Sequence, residues 1–374
     1  MDRVMPIYVT QPGMPPMEEF TALLKQIWES KILTNNGPFH QQFEKELADY
    51  LGVKYISLFA NGTLALITAL QTLRITGEVI TTPYSFVATT HALWWNNIKP
   101  VFADIESDYF NLDPEKVEAA ITPQTTAILP VHVYGNPCKM ERFQKIAKTH
   151  NLKLIFDAAQ AFGVKINENS VLNFGDLSIL SFHATKVFNT FEGGAIVCHD
   201  QKMKERIDLL KNFGYAGETT VIEPGINAKM NEIQAAFGLL QLKHVDQFVA
   251  QRKTITELYR TQLIDVPGIS FFKDMPGVDQ NYSYFPILID AGAYGKTRDE
   301  VYNLLKQHNI YARRYFYPLI TQFPTYKEIL TANPKDLPFA EKITEQVLCL
   351  PIYPNLAKDE VILICELIRN NVRS

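Results

Sequence analysis

The chain has 374 residues, 47% of them hydrophobic and 20% charged, with a formal net charge of −4. These are globular proportions, with material for a large core and two to three domains. No basic surplus is present to recruit nucleic acid or anionic lipid. Cys138, Cys198, Cys349 and Cys365 lie far apart with no CxxC pair, which excludes zinc-ligand spacing and a thioredoxin-type motif. Free thiols in a reducing cytoplasm are expected, and no metal site. The start of the chain shows no apolar signal core, and no apolar run reaches about 18 residues. A soluble cytoplasmic protein without a membrane partner is the expectation.

Residues 17–29 carry apolar positions at helical spacing. A turn and a second helix ending at Gly52 follow. From Lys54 to Val197 short apolar runs recur: VKYISLFA, EVITT, KPVFADI, TAILPVHV, LKLIFDA, LSILSF and GAIVC. Helix-like stretches separate several of them, among them TLALITALQTL, SFVATTHALWW, PEKVEAAI and MERFQKIAKTHN. Such alternation predicts an α/β fold with a mostly parallel sheet flanked by helices. A long helical stretch, NEIQAAFGLLQLKHVDQFVAQRKTITELYRTQL, leads onward to a smaller α+β domain. The expected division is 1–245 for the large domain, with its N-terminal helical segment, and 246–374 for the small one.

Sheets of this kind gather ligands at the carboxyl ends of their strands. There KLIFDAAQAFG delivers Asp157 from an apolar run. An acid at that place is either a helix N-cap or the partner of a cationic ligand atom such as a pyridinium nitrogen. In LSILSFHATKVFNTFEGGAIV, Lys186 lies between two apolar stretches. It is either a surface residue or a desolvated amine suited to Schiff-base chemistry and proton transfer. Asn61-Gly62-Thr63 precedes a helix, as an ordinary cap or as an anion site of hydroxyl and backbone N–H groups. Ser181 adds a second hydroxyl. Phe86 in TPYSFVATT is either core or a ring stacked on a flat heteroaromatic. Together these residues supply a phosphate site, a stacking ring, an acid and an amine, in order along one sheet.

The runs NGTLAL, TPYSFVATTHAL, FDAAQAFG, SFHATK with EGG, and GINAKMNEIQAAFGLLQL resemble the DegT-like sugar-nucleotide aminotransferases. The resemblance extends from about Leu33 to Pro354. It implies a fold-type I transferase dependent on pyridoxal 5'-phosphate (PLP), cycling through the pyridoxamine form (PMP). Lys186 matches the Schiff-base lysine and Asp157 the acid on the pyridine nitrogen. Gln160 matches the residue beside the ring hydroxyl, and Phe86 the position on the ring face. Gly62, Thr63 and Ser181 match phosphate contacts. Asn227 resembles an asparagine that reaches the phosphate from a neighbouring subunit, which implies a homodimer with shared sites. FNTFEGG departs from the commoner pattern, in which a glycine directly precedes EGG. NIYARRYFYPLI resembles the substrate-side segment of enzymes acting on dTDP-linked keto sugars, with Arg313, Arg314, Tyr315 and Tyr317 as substrate-binding candidates. A strand running into an aromatic-rich turn is their alternative.

The reaction so implied carries the amino group of L-glutamate to a nucleotide-linked 6-deoxy sugar. The first choice is dTDP-4-keto-6-deoxy-D-glucose giving dTDP-4-amino-4,6-dideoxy-D-glucose, for surface polysaccharide or O-antigen. The alternative is 3-amination of a dTDP-3-keto-6-deoxyhexose. A PLP sugar dehydratase is disfavoured because that branch has histidine in place of Lys186. A non-catalytic regulatory protein on the same fold would not need the Lys and Asp pair. A Rossmann oxidoreductase lacks its GxGxxG here.

Overall fold

In the computed structural model, which describes residues 5–372, the chain opens with a short strand, β1 (Ile7–Tyr8). Helices α1 (Met17–Ser30) and α2 (Pro38–Leu51) follow. Pro38 sits in the first turn of α2, where its missing N–H is no loss, and Gly52 ends it in the left-handed region at φ 64°. Strands and helices then alternate: β2 (Tyr55–Phe59), α3 (Gly62–Thr72), β3 (Glu78–Thr81), α4 (Ala88–Trp95), β4 (Lys99–Phe102), α5 (Pro114–Ala119), β5 (Thr125–Leu129), α6 (Met140–His150) and β6 (Lys153–Asp157). A small hairpin, β7 (Lys165–Ile166) with β8 (Asn169–Ser170), precedes β9 (Leu177–Ser181) and β10 (Gly194–Cys198). Helices α7 (Gln201–Leu210) and α8 (Glu232–Leu263) lead to the C-terminal part. That part contains β11 (Ile269–Phe271), β12 (Val278–Asp279), β13 (Phe285–Ile289), α9 (Ala291–Tyr294), α10 (Arg298–Gln307), β14 (Ile310–Tyr311), α11 (Pro338–Gln346), β15 (Val347–Leu350) and α12 (Lys358–Arg369).

The main sheet has seven strands in the order β2-β10-β9-β6-β5-β3-β4. Neighbours from β9 to β4 are parallel, and only β10 runs against both of its neighbours. Strand residues alternate between two cores. Leu154, Phe156 and Leu180 face α2, α6 and α8, whereas Ile155 and Ile179 face α3, α4 and α7. Burial of each such side chain stabilises by about 1.5–3 kcal/mol. Because β2 opposes β10 and β10 opposes β9, the carboxyl ends of β2, β3, β5, β6 and β9 all open on one edge. The segments leaving that edge carry Gly62, Phe86, Tyr134, Asp157, Ser181 and Lys186.

The C-terminal part builds its own three-stranded sheet, β11-β13-β15, over a separate core. Two features differ from the division expected at 245. Helix α8 runs unbroken through that position, so the two parts share one rod. Strand β1 pairs in parallel with β14, and Ile7 is buried in the C-terminal core rather than with the large domain. Pairing across some 300 residues leaves no local periodicity to read. A further cluster straddles the parts, joining Tyr84, Val131 and Tyr134 to Phe316, Leu319 and Tyr326. Among the described residues no helix is long and apolar enough to cross a membrane.

Glu232 ties α8 to α2. Its buried carboxylate accepts from the N–H groups of Phe39 at 2.9 Å and His40 at 2.8 Å, in the first turn of α2. A negative charge there also complements the helix dipole. Gly37 permits the approach, since a Cβ on it would lie 2.6 Å from Glu232 Cδ. Glu232→Ala strands two amide donors and should cost about 2–4 kcal/mol in urea unfolding, with Glu232→Gln intermediate. A midpoint equal to wild type would mean that packing alone holds α2.

Candidate active site

Helix α3 opens the strand-end edge. Asn61 is its N-cap, and the side-chain oxygen accepts from Leu64 N at 2.9 Å. The N–H groups of Gly62 and Thr63 belong to the first turn and have no acceptor within the helix. Ser181, at the end of β9, lies against them: a Cβ on Gly62 would sit 2.9 Å from Ser181 Cβ and 3.1 Å from its Oγ. Gly194 is equally constrained, because a Cβ there would meet Gly62 N at 2.7 Å. The glycines thus let β10 and Ser181 approach the helix end closely. The resulting cradle of amides and hydroxyls suits a phosphate group.

Asp157 ends β6 and is buried at 4% exposure. It caps no helix. Its Oδ1 accepts from Ala159 N at 3.1 Å, and its Oδ2 from the Thr89 hydroxyl at 2.8 Å. Burial raises its carboxyl above the usual range, opposed by the Thr89 bond, the Ala159 amide and the charge of Lys186. Lys186 is half-buried in the turn after β9. Burial lowers its amine below the ordinary lysine range, and Asp157 opposes that shift. A lowered amine has its nucleophilic form available nearer neutral pH.

Gln160 is buried three residues beyond Asp157. Its Oε1 accepts from Tyr134 N at 2.7 Å. An amide N–H only donates, so the atom facing Tyr134 is the oxygen, which leaves Nε2 as the donor end of the side chain. Phe86 is 60% exposed, which removes the core-packing alternative for it. These residues fit pyridoxal phosphate: a cradle for the phosphate, a buried carboxylate for a cationic ring nitrogen, an amide donor for the ring hydroxyl and an amine for the aldehyde.

The other candidates divide. Arg313 is exposed, while its backbone bridges to Cys349. Arg314 is engaged inside the chain, with Nη1 2.9 Å from Asp299 Oδ1 and its guanidinium over Tyr302 and Tyr317. Tyr317 is itself held between Arg314 and Arg298. Tyr315 packs edge-on to Tyr284, and its carbonyl accepts from the Tyr134 hydroxyl, with Tyr84 Oη 3.2 Å away. Asn227 is exposed beside exposed Ile226, bridged to Asn212. Sequence reasoning missed Thr89 and Tyr134. Thr89 lay within the quoted TPYSFVATT, but only the fold reveals its partner.

The description "DegT/DnrJ/EryC1/StrS aminotransferase family" matches residues 16–369. An Escherichia coli protein named dTDP-4-amino-4,6-dideoxy-D-glucose transaminase is 54% identical over 98% of this chain and 98% of its own. The crystal structure of DesI in the presence of its TDP-sugar product is similar at a TM-score of 0.94 and 35% identity, over 98% of this chain and 93% of that one. Bacillus subtilis NtdA, solved with bound cofactor PMP, is similar at 0.88 and 28%, over 96% and 82%.

Thr89 holds the Asp157 carboxyl down, so its removal lets burial raise that group further. Thr89→Val should cut kcat about tenfold at neutral pH and move the acidic limb of the pH–rate profile upward. Thr89→Ser should restore both. A profile identical to wild type would remove Thr89 from the site.

Proposed function

The chain belongs to the DegT/DnrJ/EryC1/StrS aminotransferase family, and from that premise we propose that it aminates C4 of dTDP-4-keto-6-deoxy-D-glucose with L-glutamate as donor. The product would be dTDP-4-amino-4,6-dideoxy-D-glucose, a precursor for surface polysaccharide such as O-antigen. The observation that carries the reading is the pairing of Lys186 with buried Asp157 on the strand-end edge, beside the Gly62–Ser181 cradle. The identity to the E. coli transaminase supports the choice of sugar and of C4.

When bound, pyridoxal phosphate supplies an aldehyde for amine exchange and a ring that delocalises carbanion charge. The first-turn amides of α3 and the hydroxyls of Thr63 and Ser181 anchor its phosphate. Asp157, ionised beside a cationic ring nitrogen, would hold the proton there. Gln160 Nε2 would donate to the ring hydroxyl, and Phe86 would shield the ring from water. Lys186 Nζ takes a proton from Cα of glutamate in the first half-reaction. It delivers one to C4 of the sugar in the second. Arg313, exposed and free of the stacking that engages Arg314, is the better candidate for the sugar's diphosphate.

The working assembly in this reading is a homodimer, with Asn227 serving the partner's phosphate site. Exposed Val221, Ile222 and Ile226 flank Asn227, and a second copy would cover them. Four buried free cysteines suit a reducing cytoplasm.

Incubation with glutamate and dTDP-4-keto-6-deoxy-D-glucose should give a product whose new amine NMR locates at C4. Lys186→Ala should lower turnover at least about a thousandfold. Amination of no keto sugar would reject the substrate class. Lys186→Ala and Asn227→Ala, each impaired alone, should regain activity when co-refolded, because a mixed dimer holds one intact site. A mixture no better than its components would argue against a shared site.

A further inference from the structure

We propose that Tyr134 is a positioning residue whose buried hydroxyl sets the substrate-side segment 313–317, so that amination of the nucleotide sugar depends on it while the glutamate half-reaction does not. The inference rests on the function proposed above and extends it to a residue outside the cofactor cage.

Tyr134 leaves the carboxyl end of β5 in a left-handed conformation, φ 58°. Each of its polar groups is used, and each goes to a different part of the site. The N–H donates to Gln160 Oε1 at 2.7 Å. The carbonyl accepts from Ser283 Oγ at 2.8 Å. The hydroxyl donates to the carbonyl of Tyr315. Tyr84 Oη lies 2.6 Å from Tyr134 Oη and 3.2 Å from Tyr315 O. Since Tyr134 donates its only hydroxyl proton to Tyr315, Tyr84 donates its own to the Tyr134 oxygen, and its 3.2 Å approach to Tyr315 O is where that proton can turn when the Tyr134 hydroxyl is removed. The result is a donor chain from buried Tyr84 through buried Tyr134 to half-buried Tyr315.

Segment 313–317 is held from three sides. Arg313 exchanges backbone hydrogen bonds with Cys349, at 3.1 and 2.7 Å. The Phe316 carbonyl accepts from Thr344 Oγ1 at 2.6 Å. Both of those anchors belong to the C-terminal part. The third, at the Tyr315 carbonyl, comes from the Tyr134 hydroxyl of the large domain, backed by that of Tyr84, and beside the ring contacts of Phe316 it is the polar tie of the segment to the cofactor cage. Tyr84 stands two residues before Phe86 and five before Thr89, the hydroxyl on Asp157. Exposed Arg313 is therefore placed relative to Phe86 and Asp157 through two phenol hydroxyls.

Tyr134→Phe removes the hydroxyl alone. The backbone bonds to Gln160 and Ser283 persist, and so does the ring stack on Phe316 at 6.1 Å and 8°. Cofactor binding and the glutamate half-reaction, followed by the spectral change of the cofactor, should stay within about twofold of wild type. KM for dTDP-4-keto-6-deoxy-D-glucose should rise about tenfold, the size of one buried hydrogen bond. Tyr84→Phe should give a smaller rise, because Tyr134 still reaches Tyr315. The double variant should exceed the product of the two, since it leaves the carbonyl with neither donor.

A role in folding alone would slow both half-reactions by one factor and lower Tm in step, and that result overturns the inference. So does a double variant with an unchanged KM for the sugar. Wild-type protein that aminates no keto sugar overturns both this inference and the function it rests on. Wild-type turnover with unchanged variants overturns this inference alone.

Discussion

A carboxylate removed from water at the end of a strand is costly, by several kcal/mol unless its oxygens are matched. Asp157 sits in that position, and its surroundings follow from the need to match it. Ala159 N occupies one oxygen and Thr89 the other. The two donors come from different segments, one from the turn after β6 and one from the first turn of α4. Matching Asp157 therefore also fixes where α4 begins relative to β6. Phe86, three residues before Thr89, inherits that position. Burial still raises the carboxyl, so a bound cation gains more here than at an exposed acid. The carboxylate is thus set in place to receive a cation, which is the role that the proposed function gives it.

The same edge explains why the other groups converge. Parallel strands deliver their carboxyl ends to one side, and β10 enters that side antiparallel with Gly194 under the first turn of α3. Ser181 and Lys186 leave β9 next to β6, so amine and acid share a border. Neither interaction needs a long or flexible loop. A positioned pair of this kind loses little entropy on binding its ligand. The cross-domain cluster then extends the rigid border to segment 313–320, through Tyr84 and through Ile320 N, which donates to Pro83 O at 3.1 Å.

What the sequence revealed and what it hid divide along the range of the interaction. Apolar runs ending in Asp157 and Ser181 are local patterns, and so are the Asn61 cap and the glycines before β10. Each is legible because its cause lies within about ten residues. Thr89, Tyr134 and Glu232 were silent, because their partners lie 68, 181 and 193 residues away. For Glu232 a partial signal existed: Asn231 and Gln234 form a capping box, which locates the helix start but not the carboxylate's targets. Strand β1 was hidden for the same reason, since two residues carry no period.

Arg314 shows how a candidate segment can turn one of its charges inward. Four neighbouring candidates resembled a substrate-binding run, yet a folded chain satisfies its own charges where it can. Asp299 Oδ1 accepts from both Arg298 Nε at 2.6 Å and Arg314 Nη1 at 2.9 Å. Tyr317 lies between the two guanidinium groups, 4.5 and 4.9 Å from its ring centre. One carboxylate against two guanidiniums leaves a net positive charge that the stack cannot move. Arg313 adds a second, on an exposed side chain. A diphosphate approaching this segment would meet a fixed field from the stack and an exposed fork from Arg313. Arg314 is thus tied within the chain, and in the function proposed above the diphosphate contact falls to Arg313.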